Sequence, residues 1–285
     1  MKIPYIAEDW RILFKPEKQG NYVNDHALVM GSDGKWHLYG ITSFGGGAYN
    51  ERYFVHGVGD TLQTPLREFG RTIDRGTPAW SPCVIRKDEN YYMFYGPSPT
   101  SLAVSFDMYE WYGHTVTLNN EPVMAAHRDH FVLEVAPNEY LMYVTGVHNK
   151  KGAISLFSSH DLLAWEFEGF ALTSGDDAPL RPGWGAMESP FVVKKDGLYY
   201  LFITYTNSTS ATYNDTLVFC SEDPRRFGEY NGEKGGAMPI TRLCAHAPEI
   251  VEAEGETYIT TCGWNGRTPI NPGCVSIAKL SWKDE

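Results

Sequence analysis

Three short segments put a carboxylate at the head of an apolar run. They are Asn24-Asp25-His26 before Ala27-Leu28-Val29, Arg128-Asp129-His130 before Phe131-Val132-Leu133, and Glu188-Ser189-Pro190 before Phe191-Val192-Val193. If Asp25, Asp129 and Glu188 meet in space, one carboxylic acid can protonate a leaving oxygen. A second can act as base or nucleophile, and the third can stabilise developing positive charge. That division of labour is what cleavage of a glycosidic bond requires. Crowded carboxylates lose hydration and push one another's pKa upward, so three in one place point to a functional site rather than to scaffolding. Other chemistries lack their signatures. The chain carries no phosphate-binding glycine loop, no Cys-x-x-Cys and no Gly-x-Ser-x-Gly elbow.

The elements that must position these residues show themselves as a repeat. Two further segments follow the same pattern, Trp80-Ser81-Pro82 and His246-Ala247-Pro248, each leading into an apolar strand. Eleven residues after the second position of every segment stands an aromatic: Trp36, Tyr92, Tyr140, Tyr200 and Tyr258. Segment starts lie 56, 48, 60 and 58 residues apart. A Ser-x-Asp-x-x-x-Trp pattern also occurs twice, Ser105-Asp107-Trp111 and Ser159-Asp161-Trp165, with Ser221-Asp223-Phe227 as a third version. Periods of this length mark stacked or ring-closed repeats. Alternating strands without a βαβ rhythm predict an all-β fold. Five units of four strands each predict a single five-bladed β-propeller over residues 1–285, its blades ringed about a central funnel. The opening Trp10–Lys15 stretch is expected to add an outer strand that closes the ring.

In such a ring the head of every inner strand reaches one mouth of the funnel. A purely structural repeat would place like residues there, yet the five heads differ in chemistry. Asp25, Asp129 and Glu188 are the expected catalytic set. Asn24, Trp80 and Arg128 are expected to contact substrate, Trp80 by stacking on a ring face. His26 and His130 either touch substrate or tie blades together, since strand alternation turns them from their neighbours. Loops at the same mouth supply His148, Asn207, Trp264, Asn265 and Arg267 as candidate subsite residues. Trp111 and Trp165 are expected to pack between blades, with Asp107 and Asp161 making turns.

The composition is globular: 42% hydrophobic, 21% charged and 14% aromatic, with 28 Gly and 17 Pro. A net charge of -11 disfavours nucleic-acid and anionic-membrane partners, which need a basic footprint. Five cysteines, an odd number without zinc-type spacing, argue against a disulfide framework or a zinc site. Met1–Trp10 lacks the apolar core of a signal peptide, so a cytoplasmic location is expected.

The three segments together resemble a known group, the five-bladed propeller glycoside hydrolases of families 43, 32, 68 and 117. Asn24-Asp25-His26 resembles the Asn-Asp-Pro of family 32, Arg128-Asp129-His130 its Arg-Asp-Pro, and Glu188-Ser189-Pro190 its Glu-Cys-Pro. His stands for Pro after both aspartates, and Tyr22-Val23 stands where family 32 has Trp. The fifth blade is read to end the chain without the family 32 β-sandwich. These departures lean toward a family 43-like or 117-like enzyme. The resemblance implies Asp25 as base or nucleophile, Asp129 as transition-state stabiliser and pKa modulator, and Glu188 as general acid, with Arg128 orienting Asp129. It implies an exo-acting furanosidase, arabinose- or fructose-releasing, acting on a small glycoside or oligosaccharide. A histidine acid of the family 117 type and a non-catalytic sugar-binding propeller are the alternatives. It further implies no required cofactor, with a structural calcium ion or ordered water on the axis near His246. It leaves retention against inversion open, with a lean to inversion.

Overall fold

The computed structural model describes residues 1–18, 21–43, 50–175, 186–264 and 266–285. Strands β3 (Asn24–Met30), β4 (Trp36–Thr42), β5 (Tyr53–Gly59) and β6 (Arg67–Thr72) form the first of five sheets. The second holds β7 (Trp80–Lys87), β8 (Asn90–Gly96), β9 (Ser101–Ser105) and β10 (Tyr112–His114). The third is built on β12 (Ala125–Ala136), β13 (Glu139–His148), β14 (Lys151–Ser159) and β15 (Ala164–Ser174). The fourth holds β16 (Met187–Lys195), β17 (Leu198–Tyr205), β18 (Asp215–Ser221) and β20 (Thr241–Cys244). The fifth holds β21 (Ile250–Ala253), β22 (Glu256–Thr261) and β23 (Val275–Asp284), joined by the N-terminal strands β1 (Lys2–Ile6) and β2 (Arg11–Phe14). The fold is the five-bladed propeller that the repeat predicts.

Two blades depart from four strands. Both β1 and β2 pair with β23, so the chain's start closes its last blade, as the opening residues predict. Blade three gains two short edge strands, β11 (Thr117–Asn119) and β19 (Gly228–Tyr230), both parallel to β15. The connections into blade three and through blade four are long enough to lay an extra strand on that edge, and a paired edge leaves fewer backbone groups exposed.

The core lies between blades. Tyr39, Phe54, Met93 and Tyr95 pack blade one on blade two. Phe94, Phe131, Tyr143, Trp165 and Leu201 join blades two, three and four. Tyr200, Phe202, Ile259 and Leu280 join four to five, and Leu28, Leu38, Tyr258 and Ile277 join five back to one. The Ser-x-Asp turns serve this packing. Asp107 Oδ1 accepts from the N–H groups of Tyr109 and Glu110, and Asp161 Oδ1 accepts in the same way from Leu163 and Ala164. The tryptophan that follows each turn lies edge-on to an aromatic of the preceding blade, Trp111 against Tyr39 and Trp165 against Phe94. All five cysteines are free; Cys83, Cys262 and Cys274 are buried, and Cys244 is exposed. Among the described residues no helix is long and apolar enough to cross a membrane.

Candidate active site

Each inner strand begins with a local irregularity that aims a side chain into the funnel. The register breaks between Asn24 and His26, Trp80 and Cys83, Arg128 and His130, and Glu188 and Phe191. Ser81, Asp129, Ser189 and Ala247, all at the second position of their segments, have φ of 48°, 54°, 54° and 45°. A non-glycine residue in the left-handed region is uncommon, and four at equivalent positions mark a built feature. β-bulges re-aim side chains in this way and concentrate beside active sites.

The result is a cavity of about 400 Å³ lined by Asp25, Asp129 and Glu188 together. Asp129 is central. Its Oδ1 lies 2.8 Å from Ser81 Oγ, which also hydrogen-bonds Asp25 Oδ2. Its Oδ2 accepts from the Ser189 N–H at 3.2 Å and sits 3.4 Å from Arg128 Nε. The same guanidinium donates through Nη2 to Glu188 Oε2 at 2.8 Å. Asp25 thus joins Asp129 through a hydroxyl, and Glu188 joins it through an arginine.

Burial is the largest influence on Asp25, Asp129 and Arg128, and neighbours decide the outcome. For Asp25, burial pushes the pKa up, but the hydrogen bond and charge of His246, then Ser81 and Arg128, outweigh it and hold the carboxyl below its ordinary value. For Asp129, burial together with the charges of Asp25 and Glu188 overcomes Arg128 and raises the pKa to about 7. Burial would lower Arg128, yet Asp129 and Glu188 raise it. Near neutrality Asp25 is ionised, as a base or nucleophile must be, while Asp129 still holds a proton part of the time. Two adjacent carboxyls with pKa values pushed apart are a recurrent sign of acid/base work.

Of the substrate-contact candidates, Asn24, Trp80, Arg128, Trp264 and Arg267 line the cavity. Asn24 Oδ1 accepts from the Tyr213 hydroxyl at 2.9 Å, and Arg267 lies over the Trp264 ring at 4.6 Å. His26, His130 and His148 do not line it. His26 Nε2 bonds Thr260 of blade five and His130 Nε2 bonds Thr100 of blade two, each at 2.8 Å, so both tie neighbouring blades together. Burial lowers His26 to about 4 and holds His130 well below its ordinary value, which leaves both imidazoles neutral and unsuited to serve as acids. The side chain after a bulged residue points to the opposite face, below the pocket. His148 packs on Phe170, ring centroids 4.9 Å apart. Asn207 spends its Oδ1 on its own loop, accepting from Thr209 and Thr212. Asn265 lies outside the described residues.

His246 reaches the cavity, but its nitrogens are engaged. Nδ1 donates to the Tyr213 carbonyl at 2.8 Å, and Nε2 faces Asp25 Oδ1 at 3.6 Å. The ring stacks on Tyr213 at 3.8 Å. Burial lowers its pKa but Asp25 raises it more, so His246 favours the anion of Asp25. Beneath the site a small axial chamber is lined by Asp25, His26, Ser81, Asp129, His130 and Glu249. The buried Nδ1 atoms of His26 and His130 have no protein partner, which suits ordered water. Among the described residues no three His, Cys, Asp or Glu side chains are grouped to hold a metal ion.

Among the residues that sequence did not single out, Glu51 and Tyr213 line the cavity and Ser81 lines the chamber beneath it. Glu51, 1% exposed, receives the Tyr22 hydroxyl at 2.5 Å and Trp264 Nε1 at 3.2 Å. Burial pushes it to about 7, despite those donors. Tyr213 is the second. Both sit in loops at the mouth that sequence does mark, but neither loop has a period to index its members. Ser81 is the third, and it does occupy a repeat position; only its hydroxyl's neighbours give it a role.

Comparisons with known proteins agree with this geometry. A Bombyx mori family 32 β-fructofuranosidase superposes over 100% of the chain with a TM-score of 0.63 at 15% identity, and the chain spans 65% of that protein. A thermostable family 43 glycoside hydrolase matches 95% of the chain and 96% of its own length, with TM-score 0.68 and 17% identity. An α-L-arabinofuranosidase from Clostridium thermocellum matches 90% of the chain and 88% of its own, with TM-score 0.59 and 18% identity. At these identities the likeness shows a shared propeller fold, found here in families 32 and 43; of these, family 43 is one toward which the sequence departures lean. A search of curated proteins gives no match. The profile of the glycosyl hydrolases family 32 N-terminal domain matches residues 14–218, a span that contains Asp25, Asp129 and Glu188. With most of its length in that match and its three carboxylates gathered at the funnel mouth, the chain belongs to the glycosyl hydrolases family 32 N-terminal domain family.

Proposed function

We propose that the chain is an exo-acting furanosidase that hydrolyses the O-glycosidic bond of a small arabinofuranoside or fructofuranoside. The observation that carries this is the convergence of Asp25, Asp129 and Glu188, from three blades, on one cavity of a size suited to a small ligand. Relatives described as a β-fructofuranosidase and an α-L-arabinofuranosidase share the fold and support the furanoside class. In this reading Trp80 and Trp264 wall the sugar ring, while Asn24, Arg267 and Glu51 meet its hydroxyls. Glu188 gives a proton to the leaving oxygen. Asp25, kept ionised beside His246, takes a proton from the attacking water, and the product anomer is inverted. Asp129 lies between them, linked to Asp25 through Ser81 and to Glu188 through Arg128. Protein side chains supply each of these steps, so a chelator is expected to leave the rate unchanged.

A panel of aryl furanosides and sucrose-like substrates, with the product anomer read by NMR, tests the proposal. Asp25→Asn and Glu188→Gln are each expected to lower kcat by roughly 10²–10⁴-fold with the circular dichroism spectrum retained. Wild-type rates in either variant, or sugar binding without turnover in the wild type, would overturn it. A retained anomer would make Asp25 the nucleophile instead of the base.

A further inference from the structure

We propose that Ser81 is a positioning residue that couples Asp25 to Asp129 through its single hydroxyl proton, fixing which of the two carries the negative charge. The proposal deepens the functional reading above and rests on it only for its kinetic arm. Ser81 is 6% exposed, and its Oγ is within hydrogen-bond reach of Asp25 Oδ2 and Asp129 Oδ1 at once. A hydroxyl has one proton to donate and two lone pairs to receive. Two ionised carboxylates would ask it for two protons, and the unserved one would face an oxygen lone pair. The arrangement that satisfies every atom is a chain. Asp129 Oδ1 carries a proton and donates to Ser81 Oγ, and Ser81 donates to Asp25 Oδ2.

The surroundings set the direction of this chain. His246 of blade five faces Asp25 at 3.6 Å and favours the anion there. Asp129 sits between the charges of Asp25 and Glu188, and it shares Arg128 with Glu188. Glu51 stands in the cavity wall, and His26 and Glu249 lie beneath. Glu249 is itself pushed well above its ordinary pKa, first by burial, so it adds little negative charge. Tyr213 and Cys262 also feel Asp25, and burial holds both protonated. Reversing the chain would set a neutral Asp25 against the His246 cation and a charged Asp129 between its neighbours.

The backbone makes the test clean. Ser81 is held at φ 48° by the bulge, and Ala247, its equivalent in blade five, adopts φ 45° with a methyl side chain. Ser81→Ala should therefore remove the hydroxyl and keep the fold. Carboxyl ¹³C NMR titration of Asp-labelled protein, assigned with Asp25→Asn and Asp129→Asn, reads the two groups directly. In Ser81→Ala the Asp25 ionisation is expected to move up by about one pH unit, the worth of a hydrogen bond to a charged group. The gap between the two ionisations should narrow, and the acidic limb of kcat/KM should move with Asp25. An Asp25 titration unchanged from wild type overturns the proposal, whatever happens to the rate. If the wild type turns over no glycoside, the functional reading fails while the titration still decides the role of Ser81. Should Ser81→Ala not fold, Ser81→Gly, suited to a positive φ, carries the same comparison.

Discussion

Glu51 shows how one side chain changes what a pocket can recognise. It is buried beside Asp25, and burial first, then that neighbouring charge, lift it to about 7 although Tyr22 and Trp264 donate to it. A carboxylate there accepts two sugar hydroxyls, whereas the protonated acid accepts less well. Substrate affinity is therefore expected to tighten as pH rises through 7. Glu51→Gln should raise KM about 10-fold with kcat little changed and should flatten that part of the pH dependence. KM profiles of the two proteins from pH 5.5 to 8.5 check this. An unchanged KM would leave Glu51 a wall residue only. The same scale explains why His26 and His130 sit where they do. Each follows a bulged aspartate, and the pleat turns it away from the cavity toward a threonine of the next blade.

At the scale of elements, the start of each inner strand repeats in backbone while varying in chemistry. Ser81, Asp129, Ser189 and Ala247 share a left-handed φ, so four of the five heads share one backbone conformation and the side chain is free to differ. A β-branched residue tolerates that region poorly. Ala247→Val is expected to cost about 2 kcal/mol or more, from backbone strain and from crowding at a buried site. Ala247→Gly is expected to stay within about 1 kcal/mol of wild type, because strain relief offsets the added freedom of the unfolded chain. Urea unfolding of both variants measures the difference, and equal losses would argue against a strained position. The Ser-x-Asp turns are elements of the same kind, with matching φ of 67° at Met108 and 69° at Leu162. Their function is to deliver Trp111 and Trp165 to the preceding blade.

The whole molecule is a ring whose last blade borrows its outer strands from the chain's start. Lys2–Ile6 pairs in full register with Leu280–Asp284. Removing residues 1–6 would leave that length of β23 as an unpaired edge, a template for association. The truncated protein is expected to melt several °C lower and to aggregate sooner, as calorimetry and light scattering would show. Stability also depends on the buried charges at the funnel. Asp129 gives up its proton near its ordinary 3.8 when unfolded and at about 7 when folded. Between those values the folded state binds more protons, so stability falls as pH rises through the window. Asp129→Asn removes this dependence. Its Tm relative to wild type is expected to climb by about 2 °C or more between pH 5 and pH 8; a constant difference would show that Asp129 ionises normally.

The sequence by itself determined the ring. A repeat writes its own period, so the segment heads, the aromatic eleven residues on and the blade count could be read without coordinates. The same register marked Asp25, Asp129 and Glu188, because residues that differ at equivalent positions stand out against those that do not. Tertiary structure alone decided what those residues touch. Ser81 and Arg128 acquire their roles from atoms 48 and 60 residues away, and Glu51 from a tryptophan 213 residues distant. Loops have no period, so nothing local indexes Glu51 or Tyr213 to the cavity. The pleat decides which face a side chain takes only once the bulge is in place, which is why His26 and His130 could be listed from sequence but not located. Charge placement is likewise a sum over blades: the lowered pKa of Asp25 and the raised pKa of Asp129 arise only after the ring has closed.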